Sequence, residues 1–364
     1  MKAGANKYAE QPKANGKSHT TALPAPGQIV LVFQGGGALG AYQAGVYEAL
    51  HEAGIEPDWI IGTSIGAINA SLIAGNAPGD RLTSLQEFWH RMMQRSHWHL
   101  DLLPAYFRQS LSFATALTGG IPGFFDPNPL AFFGPHYPLG QDKAGFYSTE
   151  PLERTLSELV NFSLIKHCKP RLTIGAAHVR SSRMHYFDSR ANAITARHIM
   201  ASGALPPAFP AVRIDGEPYW DGGLYSNTPI EAVLDDRPRR DSLIFAVNVW
   251  HQQGPEPESI WQVMGRQKDI QYASRADSHI ARQKQIHHLR HIIRKIARLV
   301  PEAGRASAEF RELASWGCGT TMHVVRLQTP RLDGEDHTKD IDFTTAGVRA
   351  RWQAGYADTR RALE

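Results

Sequence analysis

The chain of 364 residues lacks any apolar run approaching the roughly 20 residues that a helix needs to cross a bilayer, so membrane contact is expected to be peripheral. Cysteine is scarce: Cys168 and Cys318 are the only two, far apart in sequence. That excludes a disulfide framework and a Cys-rich zinc site, and it fits a reducing compartment such as the cytoplasm. Residues 1–27 carry almost no large apolar side chains and no hydrophobic signal segment, and a disordered tail is expected there. Excess charge is also small, a net +4, which does not point to nucleic acid as a partner. What remains, 42% apolar and 20% charged residues, is the composition of a globular protein large enough for one big domain and an appendage.

The stretch that organises the chain is Gly62-Thr63-Ser64-Ile65-Gly66, with apolar Trp59-Ile60-Ile61 before it and helix-forming residues 67–72 after it. Strand, sharp turn and helix is the setting in which a G-x-S-x-G pattern exposes a nucleophilic serine, and Gly62 and Gly66 allow the close packing it needs. A serine that only caps the helix satisfies the same pattern. Upstream, the apolar run 28–34 reads as a buried strand. It leads into Gly35-Gly36-Gly37-Ala38-Leu39-Gly40 and then a helix with Tyr42, Val46, Ala49, Leu50 and Ala53 on one face. These pieces form a β-α-β unit, hence a parallel sheet. If Ser64 is a nucleophile, the glycine turn supplies backbone N–H groups for the oxyanion that forms on attack. The same residues satisfy G-x-G-x-x-G. The acidic residue that a dinucleotide site requires is missing, however: Asp58 precedes the next strand and the elbow occupies its end.

Further on, residues 96–140 crowd Trp98, Leu102, Leu103, Tyr106, Phe107, Phe113, Phe124, Phe125, Phe132, Phe133 and Tyr137 among Gly and Pro. Two readings stay open, an irregular insertion packed on the core and an apolar rim for acyl chains. A helix that Thr149 can cap, strands over 171–179 and 185–189, a short helix over 195–203 and a buried strand over 243–250 follow. Thr228, Pro229 and Glu231 have the spacing of a capping box. Asp221 stands between strand-like Tyr219-Trp220 and the pair Gly222-Gly223, where it is either a simple turn residue or the proton acceptor a serine nucleophile requires. None of the 17 histidines stands in a setting that marks it as that base.

A triple-glycine turn, then G-x-S-x-G, then Asp-Gly-Gly, in this order over residues 28–250, resembles the patatin-like phospholipase family. The stretch Ala201-Ser202-Gly203-Ala204-Leu205-Pro206-Pro207-Ala208-Phe209-Pro210 and Asn227 with Pro229 add to the likeness. The resemblance implies a three-layer α/β/α fold with a mostly parallel sheet. It also implies a catalytic dyad of Ser64 and Asp221, with no histidine, metal or cofactor, and an oxyanion hole from Gly35, Gly36 and Gly37, chiefly the last two. Gly40, Gly62, Gly66, Gly222 and Gly223 are the remaining motif glycines. One position departs from the pattern: the family usually carries Arg or Lys where this chain has Leu39, which weakens the case for a phosphate-bearing substrate more than that for ester hydrolysis. The expected function is a lipid acyl hydrolase of phospholipase A type. Its alternatives are a short-chain or polyester esterase with the same dyad, and a silent lipid-surface scaffold.

After Trp250 the composition changes. Residues 251–259 read as a linker, and 251–364 as a mainly helical accessory region with a strand near 323–328 and a polar terminal helix. Residues 278–301 contain no acid, and Ile286, Leu289, Ile293, Ile296 and Val300 alternate at spacings of 3 and 4 among Arg282, Lys284, Arg290, Arg294, Lys295 and Arg298. Residues 279–300 are therefore expected either to meet an anionic membrane or lipid-granule surface or to pack on the domain or a partner subunit. The run Asp333 to Asp342 reads as a solvated acidic turn, without the ligand spacing of a calcium loop.

Overall fold

The computed structural model describes residues 27–93, 118–167 and 170–364. The expected N-terminal tail, Cys168 and the first part of the aromatic stretch, Trp98 to Phe113, lie outside the described residues.

Five short, apolar strands run parallel at the centre. They are β1 (Ile29–Phe33), β2 (Trp59–Thr63), β5 (Arg171–His178), β9 (Ser242–Asn248) and β10 (Met322–Gln328), in the spatial order β10-β9-β1-β2-β5. Beside β5 the sheet turns antiparallel, with β8 (Glu217–Asp221), β7 (Val212–Ile214) and β6 (Arg183–Asp188). A separate two-residue pair joins β3 (Asp126–Pro127) to β4 (Tyr147–Ser148). The sheet is mixed with a mostly parallel core, as expected from the β-α-β reading.

Successive strand residues point to opposite faces, and both faces are covered. Leu31, Phe33 and Ile60 join one core with α1 (Ala41–Glu52), α2 (Ile65–Ala74) and α3 (Arg81–Met92). Val30, Val32, Trp59, Ile61 and Ile244 join a second core on the other face. The helices after β4 are α4 (Glu150–Leu159), α5 (Phe162–His167), α6 (Ala196–Ser202), α7 (Glu231–Leu234), α8 (Ile260–Leu299), α9 (Glu302–Arg305), α10 (Ala308–Ser315) and α11 (Thr345–Leu363). Ile230 and Val233 beside and within α7, and Ile280 of α8, complete the second core. Helices on both sides of one sheet give three layers.

The segment beyond residue 250 shares this architecture. β10 pairs in register with β9 along seven residues, from Met322 opposite Ser242 to Gln328 opposite Asn248. α11 lies on α1 at backbone contact: a Cβ on Gly45 would stand 1.9 Å from the Trp352 carbonyl oxygen, and one on Gly355 2.0 Å from that of Tyr42. Tyr42 Oη donates to Asp358 Oδ2 at 2.9 Å and Tyr356 Oη to Glu52 Oε2 at 2.6 Å. Strand, helix and hydrogen bonds from 251–364 thus belong to the same sheet and the same helical layer as the rest.

Two local expectations are corrected. Thr228 does not form a capping box. α7 begins at Glu231 with Ile230 as its cap residue, while Thr228 Oγ1 accepts from Gln34 Nε2 at 2.8 Å and Glu231 accepts from the Tyr186 hydroxyl. A tertiary bond to a buried glutamine outcompetes the local one. Thr149 is the cap residue of α4, but its side chain makes no capping bond. A capping box is found instead at Thr195 with His198, at the start of α6, where the Thr195 N–H donates to His198 Nδ1 at 3.1 Å.

Candidate active site

β2 ends at Thr63, and α2 begins at Ile65, leaving Ser64 alone on the bend with φ +56° and ψ −126°. A non-glycine residue with positive φ is strained by about 1–3 kcal/mol and persists only where its surroundings hold it. Here they do. The Ser64 N–H donates to Ser202 Oγ at 2.9 Å, and the buried Ser202 hydroxyl donates in turn to the Gly175 carbonyl at 2.6 Å. A Cβ on Gly62 would meet the Gly66 carbonyl at 2.3 Å, and one on Gly66 the Phe33 carbonyl at 2.4 Å, so the bend closes only with glycine at both places.

Asp221 is the last residue of β8. β5 is the intermediary: Gly175 pairs with Thr63 on one side and Ala176 with Asp221 on the other. Two neighbouring residues of one strand thereby bring the serine and the carboxylate to the same end of the sheet. The Asp221 N–H donates to the Ala204 carbonyl at 2.9 Å, and Asp221 Oδ1 accepts from the Gly223 N–H at 2.7 Å. The carboxyl group is buried, and that burial pushes its pKa from 3.8 up to about 6, opposed by hydrogen bonds from Ser64 and from the Gly223 N–H. None of the described histidines is among the partners of this carboxylate.

The glycine turn divides by role. Gly35 is not a donor to the site. Its N–H goes to the Asn227 carbonyl at 3.1 Å, and its own carbonyl accepts from Asn227 Nδ2 at 3.0 Å and Trp250 Nε1 at 2.7 Å. Of the three glycines expected at an oxyanion hole, Gly35 has its N–H already bonded in anchoring the turn. Gly36 and Gly37 donate to no acceptor among the described residues, and Gly37 has φ +56°. The Ile65 N–H, first in α2, is likewise without an acceptor among the described residues, and the residue after an elbow nucleophile commonly supplies an oxyanion donor. The other motif glycines are packing positions. A Cβ on Gly40 would meet Ile65 Cγ1 at 2.5 Å, and one on Gly222 the Gly175 carbonyl at 2.5 Å. One on Gly223 would meet Asn227 Oδ1 at 2.8 Å. Leu39 is buried in the main core, where a cation would be unpaired.

Sequence reasoning missed several residues around this centre. The sequence shows Ser202 and Asn227 as members of a motif but gives neither a role. The segment 333–342, expected to be a solvated turn, is packed against the glycine turn instead: Thr338 and Lys339 are buried, and the Ala38 N–H donates to the Asp340 carbonyl at 2.8 Å. Nothing local in that acidic sequence signals a contact 300 residues away. Of the aromatic stretch, Phe124 and Phe125 pack with Phe209 and Tyr147, whereas Phe133 and Tyr137 are exposed.

α8 contains the basic stretch in its second half. The Arg290 carbonyl accepts from the Cys318 N–H at 3.1 Å, and His287 and His291 both reach the Thr320 carbonyl at 2.9 Å. That side is covered. Leu289, Ile292, Ile296 and Leu299 are exposed, Leu299 at 82%. Ile286, Ile293 and Val300 of the expected stripe are half-buried, so the outward apolar line is shifted from the one the spacing predicts. Among the described residues no helix is long and apolar enough to cross a membrane.

Comparison with known proteins places this geometry. The chain is 49% identical over 71 residues to a lysophospholipase nte1 of Aspergillus terreus, covering 19% of this chain and 5% of that protein. It is 29% identical over 245 residues to a lysophospholipase nte1 of Aspergillus niger, covering 66% of this chain and 13% of that one. The chain thus spans a small part of the length of these relatives. Among solved structures, VipD from Legionella pneumophila aligns with 16% identity and a TM-score of 0.41 over 93% of this chain and 67% of that one. A family model described as patatin-like phospholipase matches residues 31–234, and a second, described as patatin phospholipase, matches 270–364. Since the first of these covers more than half of the 364 residues, the chain belongs to the patatin-like phospholipase family.

Proposed function

We propose that the protein is a cytoplasmic serine acyl-ester hydrolase acting on lipid esters through a Ser64–Asp221 dyad. The observation that carries this reading is a serine at positive φ set at the same end of the sheet as a buried carboxylate whose pKa is raised to about 6. A carboxylate is ordinarily a weak base at neutral pH, and burial brings it towards the range in which a general base works.

Ser64 Oγ attacks the ester carbonyl carbon as its proton passes to Asp221. The negative charge that develops on the carbonyl oxygen meets the N–H groups of Gly36 and Gly37, with the Ile65 N–H beside them; losing one such donor typically costs about 3 kcal/mol. Collapse of the tetrahedral intermediate expels the alcohol, which takes the proton from Asp221. Water then gives a proton to Asp221 and attacks the acyl-serine, and the second collapse releases the carboxylic acid and restores Ser64.

Family membership and the lysophospholipase relatives support lipid esters as the substrate class. The exposed apolar line on α8, flanked by Arg282, Lys284, Arg294, Lys295 and Arg298, supports peripheral docking on an anionic lipid surface. One observation favours a second substrate reading: with Leu39 buried in the core, position 39 offers no cation to a phosphate headgroup, as a short-chain or polyester esterase would have it. Turnover of p-nitrophenyl esters of graded chain length beside a lysophospholipid separates the two, and loss of both activities in Ser64→Ala tests the shared mechanism.

A further inference from the structure

Two ion pairs of opposite polarity connect α8 to the segment before α11. Lys268 Nζ donates to Asp340 Oδ1 at 2.7 Å, and Lys339 Nζ donates to Asp269 Oδ1 at 2.7 Å. The two Lys-Asp dipeptides thus face each other crosswise, so that a shift of one residue would set like charges together. The Asp269–Lys339 pair is buried, with side chains 9% and 8% exposed, and Lys268 also holds the His337 carbonyl at 2.9 Å.

The first pair is bonded to the glycine turn directly, and the second reaches it through Trp250. Asp340, fixed by Lys268, accepts the Ala38 N–H through its carbonyl oxygen, which lies 2.2 Å from where a Cβ on Gly37 would stand. Lys339, fixed by Asp269, sits 5.3 Å from the centroid of the Trp250 ring, and Trp250 Nε1 donates to the Gly35 carbonyl at 2.7 Å. One pair therefore braces the turn on the far side of Gly36-Gly37 and the other on the near side.

We infer that Lys268, Asp269, Lys339 and Asp340 are positioning residues for the oxyanion hole, so that the segment beyond residue 250 sets the catalytic rate. The inference rests on the proposed Ser64–Asp221 reading. A buried ion pair such as Asp269–Lys339 adds little net stability over apolar residues of the same size, and in some proteins such pairs are kept because they fix register. Register is what Gly36 and Gly37 need, because displacing a catalytic group by about 1 Å costs on the order of 100-fold in rate.

The test compares full-length wild type, Ser64→Ala, Lys268→Met, Lys268→Asp and the exchange variant Lys268→Asp/Asp340→Lys in ester hydrolysis. It also measures inhibition by an acyl trifluoromethyl ketone, whose serine adduct places a negative oxygen in the hole. Lys268→Met is expected to lower kcat by about 10- to 100-fold with KM within about twofold, and to weaken the ketone by a similar factor. The exchange variant is expected to recover most of the kcat that Lys268→Asp loses. Retention of wild-type kcat and ketone affinity in Lys268→Met, beside an inactive Ser64→Ala, overturns the inference. So does a fall in KM-level binding and thermal stability with no recovery on exchange. Should Lys268→Met not fold, Asp340→Asn keeps the carbonyl, weakens only the pair and carries the same expectations. Full activity in Ser64→Ala would instead overturn the proposed function itself, a distinguishable result.

Discussion

The Ser64 N–H donates to the hydroxyl of Ser202 at 2.9 Å, and through it the strained bend is tied to the carbonyl of Gly175 on the neighbouring strand. This contact joins the G-x-S-x-G elbow to the Ala-Ser-Gly-Ala stretch, two motifs separated by more than a hundred residues. Ser202→Ala leaves a buried N–H and a buried carbonyl without their partner. The expected cost is about 1–3 kcal/mol of stability for the unpaired groups. A fall in kcat of about 10- to 100-fold is expected as the bend relaxes. Thermal unfolding and kcat measured on one preparation check both, and an unchanged kcat would separate the bend from the chemistry.

Asp221 makes a prediction about pH. As the proposed base it must be ionised, so kcat/KM is expected to rise through about pH 6 and to be level above it. The sign for stability is opposite. Its folded pKa lies above its ordinary 3.8, so its contribution is fully present below pH 3.8 and is lost as pH rises through about 6. Asp221→Asn, neutral at every pH, is therefore expected to be inactive yet more stable than wild type above pH 6, by up to about 3 kcal/mol. Unfolding at pH 4.5 and pH 8 checks it: the gain should appear at the higher pH and shrink at the lower. A rate flat from pH 4 to 9 would count against Asp221 as base.

The contact of α1 with α11 predicts that Gly45→Ala is severe despite its small size. Its methyl group would meet the Trp352 carbonyl at 1.9 Å, a backbone atom that cannot rotate away. Overpacking of this kind costs about 1–3 kcal/mol or more. Gly79→Ala, with nothing within 4 Å of the added carbon, is expected to be nearly neutral. Thermal unfolding of the two variants makes the comparison, and equal stabilities would mean that α11 is not seated as described.

The exposed line on α8 predicts binding to anionic vesicles that weakens with salt, since each basic residue near such a surface contributes about 1 kcal/mol. Leu289→Asp/Leu299→Asp changes residues that are 58% and 82% exposed, so folding is expected to be retained while vesicle co-sedimentation is lost. Undiminished binding by that variant would place the contact elsewhere.

How far the sequence carries depends on whether a signal is local. The elbow, the β-α-β unit and the Asp-Gly-Gly turn each occupy a few consecutive residues whose chemistry is readable on its own, and Ser64 and Asp221 stand where those patterns put them. Thr228 satisfies a local rule through its spacing to Glu231, while a buried Gln34, just after β1, provides the stronger partner. Gly35 was grouped with its neighbours because a run of three glycines does not reveal which N–H is already bonded. The crossed pairs of Lys268-Asp269 with Lys339-Asp340 were invisible for a third reason: each dipeptide is unremarkable alone, and only the packing of α8 beside the 337–340 turn makes them complementary.

The most direct measurement is ester release from lysophospholipid and from graded p-nitrophenyl esters by wild type, Ser64→Ala and Asp221→Asn. Turnover by wild type and a loss of at least about 1,000-fold in each variant are expected, because members of a catalytic unit fail together. Activity retained in Ser64→Ala would contradict the Ser64–Asp221 dyad.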